Sequence, residues 1–368
     1  MMRRRILVVV FLLLVAGAAP GSPGMAQPTA GNPSDVAADF NHDGFADLAV
    51  GVPGENDIAG AVNVLYGAGG GLSGTGAQSF SQVGGTAEFL DRFGEALAGG
   101  NFNHDGFADL AAGASGEDVH GVRDAGAVSL LSGSAGGLTT AGGQLFTQLG
   151  SATEEQDWFG WALAAGDFNH DGFADLAVGA PSEKVGSILG AGAVSVLPGS
   201  AGGLTATGGR LFTQIGGLPE RYDLFGFALA AGDFNQDGFA DLATGAPLED
   251  VGSLDAAGAL SVLHGSASGV TATGGRLFTQ VAGTVETGDE FGEQLAAGDF
   301  NHDGFAELAA AAPMEDVGTV ANAGALSLLP GSGVGLTTTG GRLFTQASPG
   351  IPGTPETFDL FGGLEVVF

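Results

Sequence analysis

The chain has 368 residues, a formal net charge of −31 at pH 7 and no cysteine. So acidic a chain is a poor partner for nucleic acid or an anionic membrane surface, and disulfides cannot stabilise it. Seventy glycines without a strict three-residue period exclude a collagen-like chain, and 44% hydrophobic residues exclude a disordered one.

The first segment, residues 1–26, has the order of a secretory signal peptide: a basic start, a short apolar run and small residues. We expect cleavage after Ala26; cleavage after Ala18 or Ala19, or an uncleaved anchor, are the alternatives. Residues 27–34 read as a Pro/Gly/Asn linker. No second long apolar stretch follows. The sequence therefore predicts a secreted chain whose mature form does not insert into a membrane.

A nine-residue stretch then recurs five times, and its copies begin 62, 66, 66 and 66 residues apart. The third copy is Asp167-Phe-Asn-His-Asp-Gly-Phe-Ala-Asp175. Oxygen-bearing side chains occupy positions one, three, five and nine, a carbonyl is available at position seven, and glycine at six permits a sharp turn. All-oxygen donors with several carboxylates favour Ca²⁺. The predicted ligands, up to five ions in all, are Asp39, Asn41, Asp43, Phe45, Asp47; Asn101, Asn103, Asp105, Phe107, Asp109; Asp167, Asn169, Asp171, Phe173, Asp175; Asp233, Asn235, Asp237, Phe239, Asp241; and Asp299, Asn301, Asp303, Phe305, Glu307.

Each repeat also carries four apolar segments, bounded by Gly, Pro, Asp or Ser and too short for typical helices. Four strands in about 66 residues, repeated, predict an all-β fold, a β-propeller of four-stranded blades; a solenoid is the alternative. Abundant Ala and Gly would let the innermost strands converge. We expect the propeller to occupy residues 35–368. The repeats are predicted at 35–90, 91–156, 157–222, 223–288 and 289–357, with a closing or partial strand at 358–368.

The combined pattern resembles the FG-GAP repeats of integrin alpha-chain propellers and their bacterial secreted relatives. Phe159-Gly160 precedes the third loop by eight residues, and Gly179-Ala180-Pro181 follows it. The resemblance implies a propeller with calcium held between the first and second strands of each blade. Such propellers usually have seven blades, whereas five repeats are visible in this chain.

We interpret the calcium as structural, because nothing else in the loops indicates catalysis. Position four carries His42, His104, His170 and His302, with Gln236 in the fourth copy. An even position should point away from the metal, so we interpret these residues as solvated. The sequence lacks a Cys nucleophile, a Gly-x-Ser-x-Gly elbow and a His-Glu-x-x-His pair. We therefore expect no enzymatic activity.

The repeats differ most in two connections, those after the second strand and those after the fourth. In an up-and-down blade both lie on the face opposite the metal loops. Trp158, Tyr222 and Arg221 are among the unusual residues there, and aromatics and arginines are common at binding hot spots. We predict that they contact a ligand, with Trp158 and Tyr222 close together; ordinary surface variation is the alternative. Trp161 is interpreted as packing between blades.

These observations predict a secreted or cell-surface calcium-binding propeller that acts as a binding or adhesion module for an extracellular protein or glycan. Two alternatives stay open. The chain could be the non-catalytic propeller part of a secreted, phospholipase-like hydrolase, since relatives of this repeat accompany a phospholipase. It could also be a purely structural surface protein.

Overall fold

The computed structural model describes residues 35–150 and 153–363, and in them the chain is an all-β protein. The described strands form five four-stranded antiparallel sheets, each built from four consecutive strands in chain order. The predicted signal segment, the linker and the last five residues lie outside the described part. Five sheets for five repeats confirm the predicted blade architecture.

The strands of the first two blades are β1 (Asp35–Ala38), β2 (Asp47–Val52), β3 (Ala61–Tyr66), β4 (Ser73–Phe80), β5 (Leu97–Gly100), β6 (Asp109–Ala114), β7 (Ala127–Ser132) and β8 (Thr139–Phe146). Those of the third and fourth are β9 (Ala162–Gly166), β10 (Asp175–Ala180), β11 (Ala193–Leu197), β12 (Arg210–Phe212), β13 (Leu229–Gly232), β14 (Asp241–Ala246), β15 (Ala259–His264) and β16 (Thr271–Phe278). The fifth blade contains β17 (Leu295–Gly298), β18 (Glu307–Ala312), β19 (Ala325–Leu329) and β20 (Arg342–Phe344).

One four-residue helical turn, α1 (Glu55–Ile58), interrupts the connection from β2 to β3. Asn56 and Asp57 within it have φ values of 51° and 59°, so the turn is left-handed. Asn and Asp tolerate this conformation better than most residues.

Small residues let the blades approach one another. The first strands of consecutive blades lie side by side, β1 with β5, β5 with β9, β9 with β13 and β13 with β17. Gly179, at the end of the second strand, faces the carbonyl of Gly226 in the next blade so closely that a methyl group could not fit. The Gly226 amide in turn donates to the carbonyl of Gly245, 3.0 Å away in its own blade. The repeated glycines therefore stack where neighbouring blades meet.

The hydrophobic core lies between the blades. Four separate clusters of buried side chains each join two consecutive sheets. Position two of the metal loop contributes to these clusters, because Phe40, Phe102, Phe168 and Phe234 are fully buried against the following blade. This explains why an apolar residue alternates with the oxygen ligands of the loop.

The two outer blades differ from the inner ones. Phe300, the position-two residue of the fifth loop, is 56% exposed, and Leu326 and Leu328 of β19 are half-buried where earlier blades bury their counterparts. On the first blade, exposed Asn63 replaces the buried serine found at this position in the other blades. Within residues 35–150 and 153–363, no packing comparable to that of the other first strands joins β17 to β1.

Candidate metal centres and the opposite face

The loop side chains at positions one, three and five fold around one turn of the backbone. In the third loop the Asp171 amide donates to Asp167 Oδ1 at 3.1 Å and to Asn169 Oδ1 at 2.9 Å. The Gly172 amide donates to Asp167 Oδ2 at 3.0 Å, and Gly172 has a φ of 89°. These bonds gather the three side chains on one side of the glycine turn, so their remaining lone pairs are available to a cation.

The same bonds recur in the other loops with one informative exception. The amides of Asp43, Asp237 and Asp303 each donate to the position-one Asp and the position-three Asn of their own loop. The second loop has Asn101 at position one. Its single oxygen accepts from the Asp105 amide at 3.1 Å, and it offers one acceptor atom fewer and no charge.

Position nine has an additional structural task. Asp175 is 2% exposed, and its two oxygens accept from the amides of Phe168, at 3.1 Å, and Gly199, at 2.9 Å. The Gly199 amide belongs to the turn between β11 and β12, so this carboxylate ties the metal loop to a neighbouring turn. Asp47, Asp109 and Asp241 make the equivalent pairs of bonds. Burial raises the pKa of Asp175 to about 7, although these backbone donors oppose the shift.

The fifth loop is arranged differently because its position-nine residue is longer. Glu307 accepts from the Phe300 amide at 2.9 Å and from the side-chain amide of Asn301 at 2.8 Å. Oxygens of Asp299, Asp303 and Glu307 lie within 4.8 Å of one another, the one such group of three among the described residues. The loops therefore offer all-oxygen donors of net negative charge around a tight turn, which fits a hard divalent cation.

The position-four side chains contact the next loop. His42, His104 and His170 are exposed, and their rings lie 5.8, 5.5 and 5.9 Å from the phenyl rings at position seven of the following loop. The imidazole of His104 also hydrogen-bonds the carbonyl of Gly172. We predicted solvated histidines; they are exposed, but they also bridge consecutive loops.

The variable connections meet on the face away from the metal loops. The amide of Phe159 donates to the carbonyl of Ala125 at 3.1 Å, which joins the connection after β8 to the connection after β6. On the metal face, by contrast, the amide of Ser200 donates to the carbonyl of Phe102, a loop residue of the preceding blade. The chain therefore separates its variable segments from its metal loops.

Tyr222 and Arg221 form a pair on this face. The Arg221 guanidinium lies 4.7 Å from the centre of the Tyr222 ring and donates to its hydroxyl at 2.8 Å. Tyr222, which is 48% exposed, borders a hollow of 170 Å³ together with Glu154, Lys184 and other residues. Arg221 lines an adjacent hollow of 430 Å³ with Pro219 and residues 187–189. One aromatic ring, two basic side chains and four acidic side chains thus border the two hollows; the acidic ones are Glu154, Glu155, Asp157 and Glu220.

Tyr222 and Trp158 do not occupy equivalent positions in their blades. The Tyr222 amide donates to the carbonyl of Leu189. The residue of this blade that corresponds to Trp158 of the preceding blade is Leu224, two positions later. The two-residue offset brings Tyr222 to residues 154–157. Trp158 instead stacks on Trp161 at 5.6 Å.

Sequence reasoning missed an aromatic row on this face. The Trp161 ring lies 5.3 Å from Phe227 of the next blade and joins a buried cluster, in agreement with its expected packing role. The row could have been anticipated, because Trp161 and Phe227 both follow a Phe-Gly pair. A second set of residues was also missed: buried carboxyl groups between the blades.

Five segments match the family model described as FG-GAP repeat, namely residues 31–77, 93–131, 159–197, 225–263 and 291–329. Rat phosphatidylinositol-glycan-specific phospholipase D is 35% identical over 160 residues, which is 42% of this chain and 18% of that protein. Mouse integrin alpha-7 is 39% identical over 153 residues, or 39% of this chain and 11% of the relative. Chicken integrin alpha-V is 29% identical over 232 residues, which is 61% of this chain and 20% of that protein.

The chain thus spans a fifth or less of the length of these relatives. Within the described residues, no helix has the length and apolar character needed to cross a membrane. Each blade contains one matched segment, which includes the metal loop and nearly all of the first three strands, and four of the five segments begin at a Phe-Gly pair. The chain belongs to the FG-GAP repeat family.

Proposed function

We propose that this protein is an exported, calcium-stabilised propeller that binds an extracellular protein or glycan through the face opposite its metal loops. The observation that carries the proposal is the location of its distinctive residues. The blades are near copies, yet Tyr222, Arg221 and Lys184 all border two adjoining hollows on that face. An exposed aromatic ring suits a sugar ring or an apolar side chain, and Arg221 can pair with a carboxylate.

Calcium has a structural task in this proposal. The donor set of the loops fits a hard divalent cation. Similarity to integrin alpha chains supports an adhesion-type module. We further propose that the chain itself performs no catalysis.

Binding is tested by probing a glycan array and an extracellular-protein array with the calcium-loaded chain. For any ligand found, Tyr222→Ala and Trp158→Ala should weaken binding by about fivefold or more, the usual cost of truncating a hot-spot aromatic. His170→Gln on the metal face is the control, because Gln already occupies that position in the fourth loop. If His170→Gln abolished binding while both aromatic variants bound normally, the assignment of the face would be wrong.

A second candidate function rests on the similarity to phosphatidylinositol-glycan-specific phospholipase D. In this case the propeller would be the non-catalytic accessory part of a secreted hydrolase. Addition of the purified chain to a glycolipid hydrolase assay separates the candidates. A stimulated hydrolase with no ligand on either array would favour the accessory role.

Export is the remaining part of the proposal. The amino-terminal order of basic, apolar and small residues supports removal of residues 1–26. Amino-terminal sequencing of secreted protein should therefore begin at Gln27. A membrane-bound product that retains Met1 would contradict this prediction.

A further inference from the structure

Three polar side chains meet at each junction between consecutive blades, just below the face opposite the metal loops. Each set contains an Asp that is 1% exposed, a Glu that is 3–6% exposed and a Gln that is 7–9% exposed. The sets are Asp91, Glu117 and Gln82; Asp157, Glu183 and Gln148; Asp223, Glu249 and Gln214; and Asp289, Glu315 and Gln280. Residues of this kind are rarely so buried unless they are paired.

The Glu and Gln side chains converge on one small space. At the first junction a methyl group placed on Gly85 would lie 2.6 Å from both Glu117 Oε1 and Gln82 Nε2. At the third junction a methyl group on Gly217 would lie 2.9 Å from Glu249 Oε1 and 2.8 Å from Gln214 Nε2. Gly85 is exposed, so this space lies directly beneath the surface.

Several atoms in these clusters lack a partner. At the first junction Glu117 Oε2 and Gln82 Oε1 are buried without a hydrogen bond to any described residue, although the Gln82 and Glu117 side chains contact each other. The same holds for Glu249 Oε2 with Gln214 Oε1 and for Glu315 Oε2 with Gln280 Oε1. Buried polar atoms in native proteins are almost always satisfied by protein, water or an ion. Three repetitions of the same unsatisfied set therefore point to a missing occupant.

No basic side chain supplies the missing charge. Among the described residues the ion pairs are Arg92 with Glu95, Arg123 with Glu155, Lys184 with Glu154 and His264 with Asp241. None of these includes a carboxyl group of the clusters. Glu88 and Asp118 add further negative charge beside the first junction. Two buried carboxylates without a counter-charge are costly, so a positive species is needed.

Near neutral pH, protonation neutralises the buried carboxylates only in part. Burial raises the pKa of Asp91 to about 6 and that of Glu117 to about 7, and neighbouring carboxylates add to both shifts. At neutral pH at least part of the negative charge therefore remains. A divalent cation would neutralise both carboxylates at once.

We propose that the Asp–Glu–Gln clusters at the first, third and fourth junctions are cation sites separate from the loops, and that Ca²⁺ is their occupant. Two carboxylates and the oxygen of the Gln amide form an all-oxygen donor set that suits a large, flexibly coordinated cation, with water completing its shell. Asp91 Oδ2 accepts a bond from the Glu88 amide, and the Asp91 and Glu117 side chains lie within hydrogen-bonding reach of each other, so one ion can contact both carboxylates. Asp109, the loop ligand nearest to Glu117 in sequence, begins β6, whereas Glu117 follows the other end of this strand, and six residues of strand span roughly 20 Å. The two kinds of site are thus independent.

Bound calcium per chain, measured by equilibrium dialysis of the full chain at neutral pH, tests the proposal. The Asp91→Asn/Glu117→Gln double variant should bind one ion fewer than the wild type. Asp105→Ala in the second loop should also lose one ion, and the combined variant should lose two. Glu88→Gln is the matched control, because it removes a neighbouring but exposed carboxylate and should leave the count unchanged.

A second variant, which blocks the site sterically, distinguishes loss of the ion from loss of folding. Gly85→Ala keeps all three donors but fills the space between Glu117 and Gln82, whose flexible ends can move aside. It should lose the same single ion while its circular dichroism spectrum stays that of the wild type. If the double variant and Gly85→Ala both bind as many ions as the wild type, the clusters hold protons instead, and the proposal is overturned.

Discussion

Removal of divalent cations should lower the melting temperature of this protein by on the order of 10 °C. A ligand that binds only the folded state at a hundred times its dissociation constant contributes about 2.7 kcal/mol per site. For a domain of comparable size, about 1 kcal/mol shifts the melting temperature by a few degrees. The combined loss of several loop sites should therefore lower the melting temperature more than any single substitution does.

Electrostatic repulsion adds to the loss. The loops carry Asp at positions one, five and nine in three of their five copies, and these carboxylates repel one another when no cation is present. Thermal unfolding followed by circular dichroism, in millimolar calcium and in excess EGTA, measures the effect. Re-addition of calcium should restore the original curve.

Two variants of the third loop show how much a single metal site contributes to the melting temperature. Asp171→Ala removes a central ligand and should produce a fraction of the EGTA effect, because the other loops stay intact. His170→Gln changes the adjacent residue to one that the fourth loop already carries, and should leave the calcium response unchanged. A melting temperature that EGTA does not alter would refute a stabilising role for calcium.

The blades and loops could be predicted because their determinants are local. The spacing of oxygen donors around Gly172 and the short apolar segments on either side lie within one stretch of chain. The role of Asp175 could not be predicted. Its oxygens bond the amides of Phe168 and of Gly199, and the second amide lies 24 residues away, so the bond exists only once β10 and β11 have paired.

The sequence also did not predict which residues of neighbouring blades are paired. Tyr222 and Trp158 each precede a Phe-Gly pair, which predicts nearly equivalent positions, but the structure offsets them by two residues. Their positions depend on which carbonyl of the preceding blade each amide reaches, Leu189 for Tyr222 and Asp124 for Trp158. That choice depends on the path of connections that differ in sequence from blade to blade.

The buried carboxyl clusters show a third kind of limit. Gln82, Asp91 and Glu117 belong to three different segments, and each looks like an ordinary polar surface residue in isolation. Their regular recurrence with the repeat was visible, but recurrence alone does not reveal burial. Only the packing of one blade on the next removes them from water.

These clusters should give the calcium-free protein an unusual dependence on pH. Burial raises the pKa of Glu117, Glu249 and Glu315 to about 7 and that of Asp289 to about 6, all above the ordinary values of such groups. Between about pH 4 and pH 7 the folded state thus binds more protons than the unfolded state, so stability falls as pH rises through this window. In EGTA we expect the melting temperature to drop by roughly 5 to 10 °C between pH 5 and pH 8.

The general acidity of the chain acts in the same direction, so the clusters must be isolated by substitution. The triple variant Glu117→Gln/Glu249→Gln/Glu315→Gln should melt above the wild type at pH 8 and show a flatter curve, because it no longer buries these charges. The control is Glu55→Gln/Glu155→Gln/Glu356→Gln, which changes the net charge equally at exposed positions. Parallel curves for the two triple variants would rule out the clusters as the cause. Calcium should also flatten the wild-type curve, since a cation bound between the blades favours the ionised carboxylates that burial alone disfavours.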